Sequence, residues 1–149
     1  MLRHIWSVVC AKAIIDQESN NVSLLEVLEE VGIELEVQDK GSPPEGGIPF
    51  PFEWITLWAR PEFGKPTSGQ VKDVVLSPSG KVIFEREYGI DLSAHERFRF
   101  RRGFRNLPVR ESGQYQFCTQ VRDEKKKVWQ DVSSVPLTIA LAMKKAKQS

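Results

Sequence analysis

The sequence predicts an all-β protein built as a two-sheet antiparallel β-sandwich. Apolar and polar residues alternate with a period of two in several stretches, and turn residues recur roughly every 8 to 12 positions. Hardly any segment shows the 3.6-residue period of an amphipathic helix. Together these features imply about eight to ten short strands. They form one domain over residues 1–142, followed by a basic tail at residues 143–149. A chain of 149 residues and 17.0 kDa can bury a single core without disulfide staples.

Ile5 to Ile15 is apolar on both parities and reads as a strand covered on both faces, ended by the polar run Asp16 to Asn21. Val22 to Leu28 reads as its return partner across Ser19-Asn20-Asn21, a simpler solution than a helical turn through Leu24, Leu25 and Leu28. Val31, Ile33, Leu35 and Val37 then alternate with Gly32, Glu34, Glu36 and Gln38, giving a strand with one wet, acidic face. Residues 40–52 contain Pro43, Pro44, Pro49 and Pro51 among Gly41, Gly46 and Gly47, which excludes a regular element. This stretch reads either as a crossover between sheets or as a semi-rigid binding loop presenting Phe50 and Phe52.

Phe52 to Ala59, with Trp54, Ile55, Leu57 and Trp58, is too apolar on both parities for an open edge and is expected at the centre of a sheet. The chain turns through Arg60 to Ser68 and resumes as a strand at Val71 to Leu76. Ser77-Pro78-Ser79-Gly80 is a hairpin signal, with proline where a type I turn favours it and glycine where φ must be positive. Lys81 to Tyr88 is the return strand, and Gly89 to His95 reads as a loop or one helical turn capped by Ser93. In Glu96 to Arg101 the phenylalanines Phe98 and Phe100 face one way and Arg97, Arg99 and Arg101 the other, with a bulge expected at Gly103. Arg122 to Lys127 reads as a charged hairpin loop. Val128 to Val132 and Val135 to Leu141 are the last two strands, separated by a bend at Ser133, Ser134 and Pro136.

The stretch from Asn106 to Val121 carries the strongest architectural signal. After Glu111-Ser112-Gly113, residues Tyr115, Phe117, Thr119 and Val121 share one face and Gln114, Gln116, Cys118 and Gln120 the other, as in a half-buried strand. Glu111-Ser112-Gly113-Gln114-Tyr115 resembles the tyrosine corner of immunoglobulin-like sandwiches, in which the phenol bonds back to the turn backbone. The pattern departs from antibody domains at Phe117, where those carry a cysteine, so their disulfide is not implied here. More broadly, the opening strand, the Asn20 to Leu25 return, the Ser77 to Gly80 hairpin and the Leu107-Pro108 to Tyr115 segment resemble an uncharacterised family of small bacterial all-β proteins. That resemblance implies a sandwich and supplies no catalytic residue.

Charge is balanced overall, at 21 basic against 20 acidic residues. It is uneven along the chain, because the first 60 residues hold four of the basic and ten of the acidic groups. Either strands from the two parts neighbour each other and their charges pair, or two patches of opposite sign dock copies or partners. Arg97, Arg99, Arg101, Arg102, Arg105 and Arg110 place six guanidiniums within fourteen residues. Such a row can hold phosphates or carboxylates bidentately, or form a surface ladder with Glu85, Glu87, Glu34 and Glu36. Nucleic acid is disfavoured, because no aromatic shares the arginine face.

Cys10 and Cys118 lie inside strands and read as free thiols in a reduced, cytoplasmic protein. No segment approaches the roughly 20 apolar residues of a spanning helix, so no membrane association is expected. His4 and His95 have no metal-ligand spacing, and no nucleophile elbow or phosphate loop is present, so neither a cofactor nor a metal is indicated. Trp6, Trp54, Trp58 and Trp129 read as core, with Trp54 and Trp58 alternatively a stacking platform. The expectation is therefore a non-catalytic module that binds another protein, or assembles with itself as a homo-oligomer, through a sheet face or loop ends. The alternative is an anion-binding or enzymatic sandwich using the arginine row 97–110, with Phe50 and Phe52 as further binding candidates.

Overall fold

A computed structural model describes residues 1–37 and 51–145. The expected Phe50 binding residue and most of the proline-rich crossover lie outside the described residues. The described chain is all-β, with nine strands in chain order: β1 Arg3–Ile15, β2 Val22–Val27, β3 Glu30–Val37, β4 Phe52–Ala59, β5 Thr67–Leu76, β6 Val82–Leu92, β7 Arg97–Phe104, β8 Gly113–Asp123 and β9 Val128–Lys145. They form a four-stranded sheet in the order β2-β1-β4-β7 and a five-stranded sheet in the order β3-β9-β8-β5-β6. β4 lies inside its sheet, as its two apolar faces demand. Among the described residues no helix is long and apolar enough to cross a membrane.

Among the described residues all pairings are antiparallel except one: β3 runs parallel to β9, from Glu30 opposite Thr138 to Val37 opposite Lys145. The purely antiparallel sandwich expected from the sequence is corrected at that edge. Four other expectations change. β6 continues through Gly89 to Leu92, because it stays paired with β5 as far as Thr67, where a loop or helical turn was expected. The β4–β7 register runs unbroken from Ala59–Arg97 to Phe52–Phe104, so Gly103 makes no bulge. The last two strands are one, β9, with a register shift opposite Thr119 and Gln120 instead of a break. Its strand reaches Lys145, three residues into the stretch expected as tail, because β3 pairs with it there.

The turns behave as their residues dictate. Gly80 has φ 86°, its N–H donates to the Ser77 carbonyl at 2.9 Å, and the Ser77 N–H donates to the Lys81 carbonyl at 2.8 Å. The Tyr115 hydroxyl donates to the Glu111 carbonyl at 2.7 Å, the bond expected of a tyrosine corner. Pro78 packs so closely on Gly113 (φ 142°) that a Cβ there would lie 2.7 Å from the Pro78 ring. The hairpin and the corner therefore fit together only with glycine at that position.

The core is apolar at both ends and polar in the middle. One cluster includes Phe52, Trp54, Val75, Phe104 and Phe117, and a second includes Trp58, Val71, Ile90 and Val121. Between them three strands, β4, β5 and β8, each insert a polar residue: Thr56 between Trp54 and Trp58, Asp73 between Val71 and Val75, Thr119 between Phe117 and Val121. All three are buried. Arg102, on β7 between Phe100 and Phe104, joins the same belt.

Candidate binding groove beside the arginine strand

β7 is the edge strand of the four-stranded sheet and, among the described residues, has β4 as its only partner. Its alternation splits the arginine row into two environments. Arg97, Arg99 and Arg101 stand opposite Ala59, Leu57 and Ile55 on the outward face, as the parity predicts. Arg102 stands opposite Trp54 and faces the other sheet.

Arg102 is thereby withdrawn from the surface row. Its Nη2 lies 3.3 Å from Asp73 Oδ2, and its guanidinium sits 5.1 Å from the Phe84 ring centre and 4.9 Å from that of Phe100. Thr119 donates to the other Asp73 oxygen at 3.4 Å. Burial pushes the Asp73 carboxyl up to about 6 even though the Arg102 charge pulls the other way. The Tyr88 phenol, stacked on Phe100 at 4.0 Å, is pushed up by burial and by the Asp73 charge. Asp73 carried no expectation as a site residue. Its only signal was a lone charge in an otherwise apolar inward parity, Val71-x-Asp73-x-Val75.

The outward arginines have different fates. β1 pairs with β4 only as far as Cys10, and its remainder, with β2, folds across the outward face. Cys10, Ala13 and Ile55 are buried there as a small third cluster. Arg101 is consumed by this packing. It binds Glu53 through Nε at 3.0 Å and Nη2 at 2.6 Å and reaches the Ala13 carbonyl at 3.2 Å, while Glu53 accepts the Ala13 N–H at 2.6 Å. Burial, and then the charge of Glu53, raise the Cys10 thiol above its ordinary value. Arg99 donates Nη2 to the Asn20 carbonyl at 2.7 Å, and its buried Nε has no hydrogen-bond partner among the described residues. Arg97 has no ion-pair partner among the described residues.

A groove of about 660 Å³ opens between the β1–β2 turn and the start of β7. Trp6 and Leu57 line it from the sheet, Asn20 and Asn21 from the turn, and Arg97 and Arg99 from the edge strand, with His95 at the strand's beginning. The turn is held in shape by Asp16, whose carboxylate accepts the Glu18 and Ser19 N–H groups at 2.9 and 2.8 Å. These bonds, the one from Ser19 foremost, lower the Asp16 carboxyl below its ordinary value. Two cations with no carboxylate between them, amide side chains and an indole can hold a carboxylate or phosphate with an apolar part beside it.

The remaining expected site residues fall elsewhere. Phe52 is 1 % exposed and stacks on Phe104 at 4.8 Å, so it is a core residue and offers no surface. Arg105 is exposed beyond the end of β7, away from the groove lining. The carboxylates expected opposite the arginines belong to the other sheet. Glu85 and Glu87 lie 3.7 and 3.6 Å from Lys72, which also sits over the Trp129 ring at 4.4 Å. Trp54 and Trp58 are buried and make no stacking platform. Cys10 and Cys118 are free thiols, and Cys118 contacts Ser134 on the five-stranded sheet, whereas His95 precedes β7 on the other.

The fold and groove thus define an all-β, sandwich-like protein with a cationic recess at one sheet edge. No protein-family model matches the chain, and no curated protein is significantly similar to it.

Proposed function

We propose that the chain is a non-catalytic binding or assembly module that engages another protein through the edge and outward face of its four-stranded sheet. The carrying observation is the pair Arg97 and Arg99, two cations without a carboxylate partner among the described residues, beside a groove backed by Trp6 and Leu57. A guanidinium left unneutralised next to an apolar recess is a ready contact for an acidic partner surface. The Tyr115–Glu111 bond supports an immunoglobulin-like sandwich of the small bacterial type that the turn motifs resemble. The two free thiols support a reducing, cytoplasmic setting.

The test is sedimentation velocity over a range of concentrations, together with affinity capture, using the parent chain and the Arg97→Gln/Arg99→Gln variant. Self-association or a retained protein that the variant loses supports the reading. A strict monomer that retains nothing removes it.

The same two arginines favour a second reading, in which the groove holds a small anionic ligand, or serves an enzyme acting on one. Phosphate, nucleotides or acidic sugars should then raise the thermal midpoint of the parent and leave the double variant unmoved.

A further inference from the structure

We propose that the free edge of β7 takes up an extended segment of a partner protein as an added strand, and that this segment carries acidic residues at every second position with apolar residues between. The inference rests on the binding-module reading and specifies its partner by chemistry.

β7 terminates the four-stranded sheet, so its main chain has a hydrogen-bonding side that no strand of the described residues occupies. The nearest strand of the other sheet, β6, meets it through the stacked rings of Tyr88 and Phe100, not through main-chain pairing. Along such an edge, side chains on one face repeat about every 6.6 to 7 Å, and those of an adjacent strand stand about 5 Å away on the same period. Arg97 and Arg99 follow that period. Carboxylates at alternate positions of an added strand would stand beside Arg97, which has no ion-pair partner among the described residues, and beside Arg99, whose Nη2 is given to the Asn20 carbonyl. Phe98, between them in sequence, faces the other way and is 39 % exposed. An apolar residue between the two acids would cover it.

The strand geometry favours a peptide over a compact anion. The two cations are strung along an edge instead of converging on one point, and both arginines of the groove lie on its β7 side. Main-chain pairing would supply affinity and the arginine spacing would supply selectivity. Arginines also keep such an edge from pairing with itself or with basic strands.

The probes are three short peptides: acetyl-Thr-Glu-Val-Glu-Val-Glu-Thr-amide, its Lys-for-Glu counterpart, and the Glu peptide N-methylated at alternate backbone nitrogens. Binding is followed by nitrogen-15 NMR, reading the Trp6 indole N–H and the amides of residues 97–104. The Glu peptide should shift these resonances, slow amide exchange along β7, and weaken with added salt. The Lys peptide and the N-methylated peptide should not bind. Arg97→Gln/Arg99→Gln, checked for an unchanged thermal midpoint, should bind about tenfold more weakly or less. Equal binding of the N-methylated peptide, shifts confined to another surface, or tighter binding of inorganic phosphate or ATP would each overturn the proposal. If self-association of the chain is lost in the same variant, the proposal stands and the acidic strand comes from a second copy. If every peptide fails while a captured partner survives the double substitution, the edge proposal falls and the binding-module reading does not.

Discussion

Arg101 and Arg102 are neighbours in sequence and opposites in environment. Arg101 lies on the outward face and satisfies Glu53 and the Ala13 carbonyl, tying the folded-over end of β1 to the sheet. Arg102 lies between the sheets, where it meets Asp73 and a cage of Phe84, Tyr88 and Phe100. Water screens the first pair and is excluded from much of the second. The buried pair should dominate stability, and the outward row, where Arg97 and Arg99 have no ion-pair partner among the described residues, should dominate recognition. A charge is informative about binding when the fold has left it unspent.

The largest effect should come from splitting the buried pair. Asp73→Ala leaves Arg102 without its carboxylate in the polar belt and should cost about 3 kcal/mol in urea unfolding at pH 7. The double variant Asp73→Leu/Arg102→Met should recover most of that loss, since it removes both charges together. A loss below about 1 kcal/mol for the single substitution would mean that Arg102 reaches water instead.

The pH dependence follows from the raised Asp73 carboxyl. Its pKa in the folded protein is about 6 against an ordinary 3.8, so the folded state holds this proton more tightly than the unfolded state. Stability linked to it is fully present below about pH 4 and is lost as the pH rises through 6. Relative to Asp73→Asn, the parent should be more stable at pH 4 than at pH 7 by on the order of 2 to 3 kcal/mol. A difference that is flat across this range would contradict the burial of the carboxylate.

On the outward face the effects shrink. Glu53→Gln weakens the tie from Arg101 and the acceptor for the Ala13 N–H, and should cost about 1 kcal/mol. Amide exchange across the β1–β2 hairpin should quicken, while the β8 and β9 amides stay as they are. Arg97→Gln/Arg99→Gln should change stability by less than about 0.5 kcal/mol, because among the described residues Arg97 has no ion-pair partner and Arg99 supports one carbonyl. Its consequence should appear in binding, and unfolding of this variant would break the proposed division of labour.

Local pattern made much of the fold legible. The inward set Tyr115, Phe117, Thr119 and Val121 is buried as its alternation requires, and the Ser77 to Gly80 turn forms with the expected positive φ at Gly80. The parity of Arg97, Arg99 and Arg101 was readable for the same reason. Glycine and proline are weaker guides. Gly89 stays in β6 because pairing with β5 continues past it, and Pro136 stays in β9 because β3 joins that strand only from Thr138 onward, leaving one side free at the proline. The groove was half legible: its arginines stood out, but Trp6, Leu57 and Asn20 reach it from three other segments of the chain.

By itself the sequence determined most of the strands, which side chains share a face, and where the Ser77 to Gly80 turn falls, because pleat and turn geometry depend on residues a few positions apart. Only the tertiary structure decided that β7 ends a sheet beside β4, that β3 runs parallel to β9, and that Arg102 meets Asp73 while Arg97 meets nothing charged among the described residues. Sheet order emerges from burial summed over residues distant along the chain, and no short pattern carries that sum.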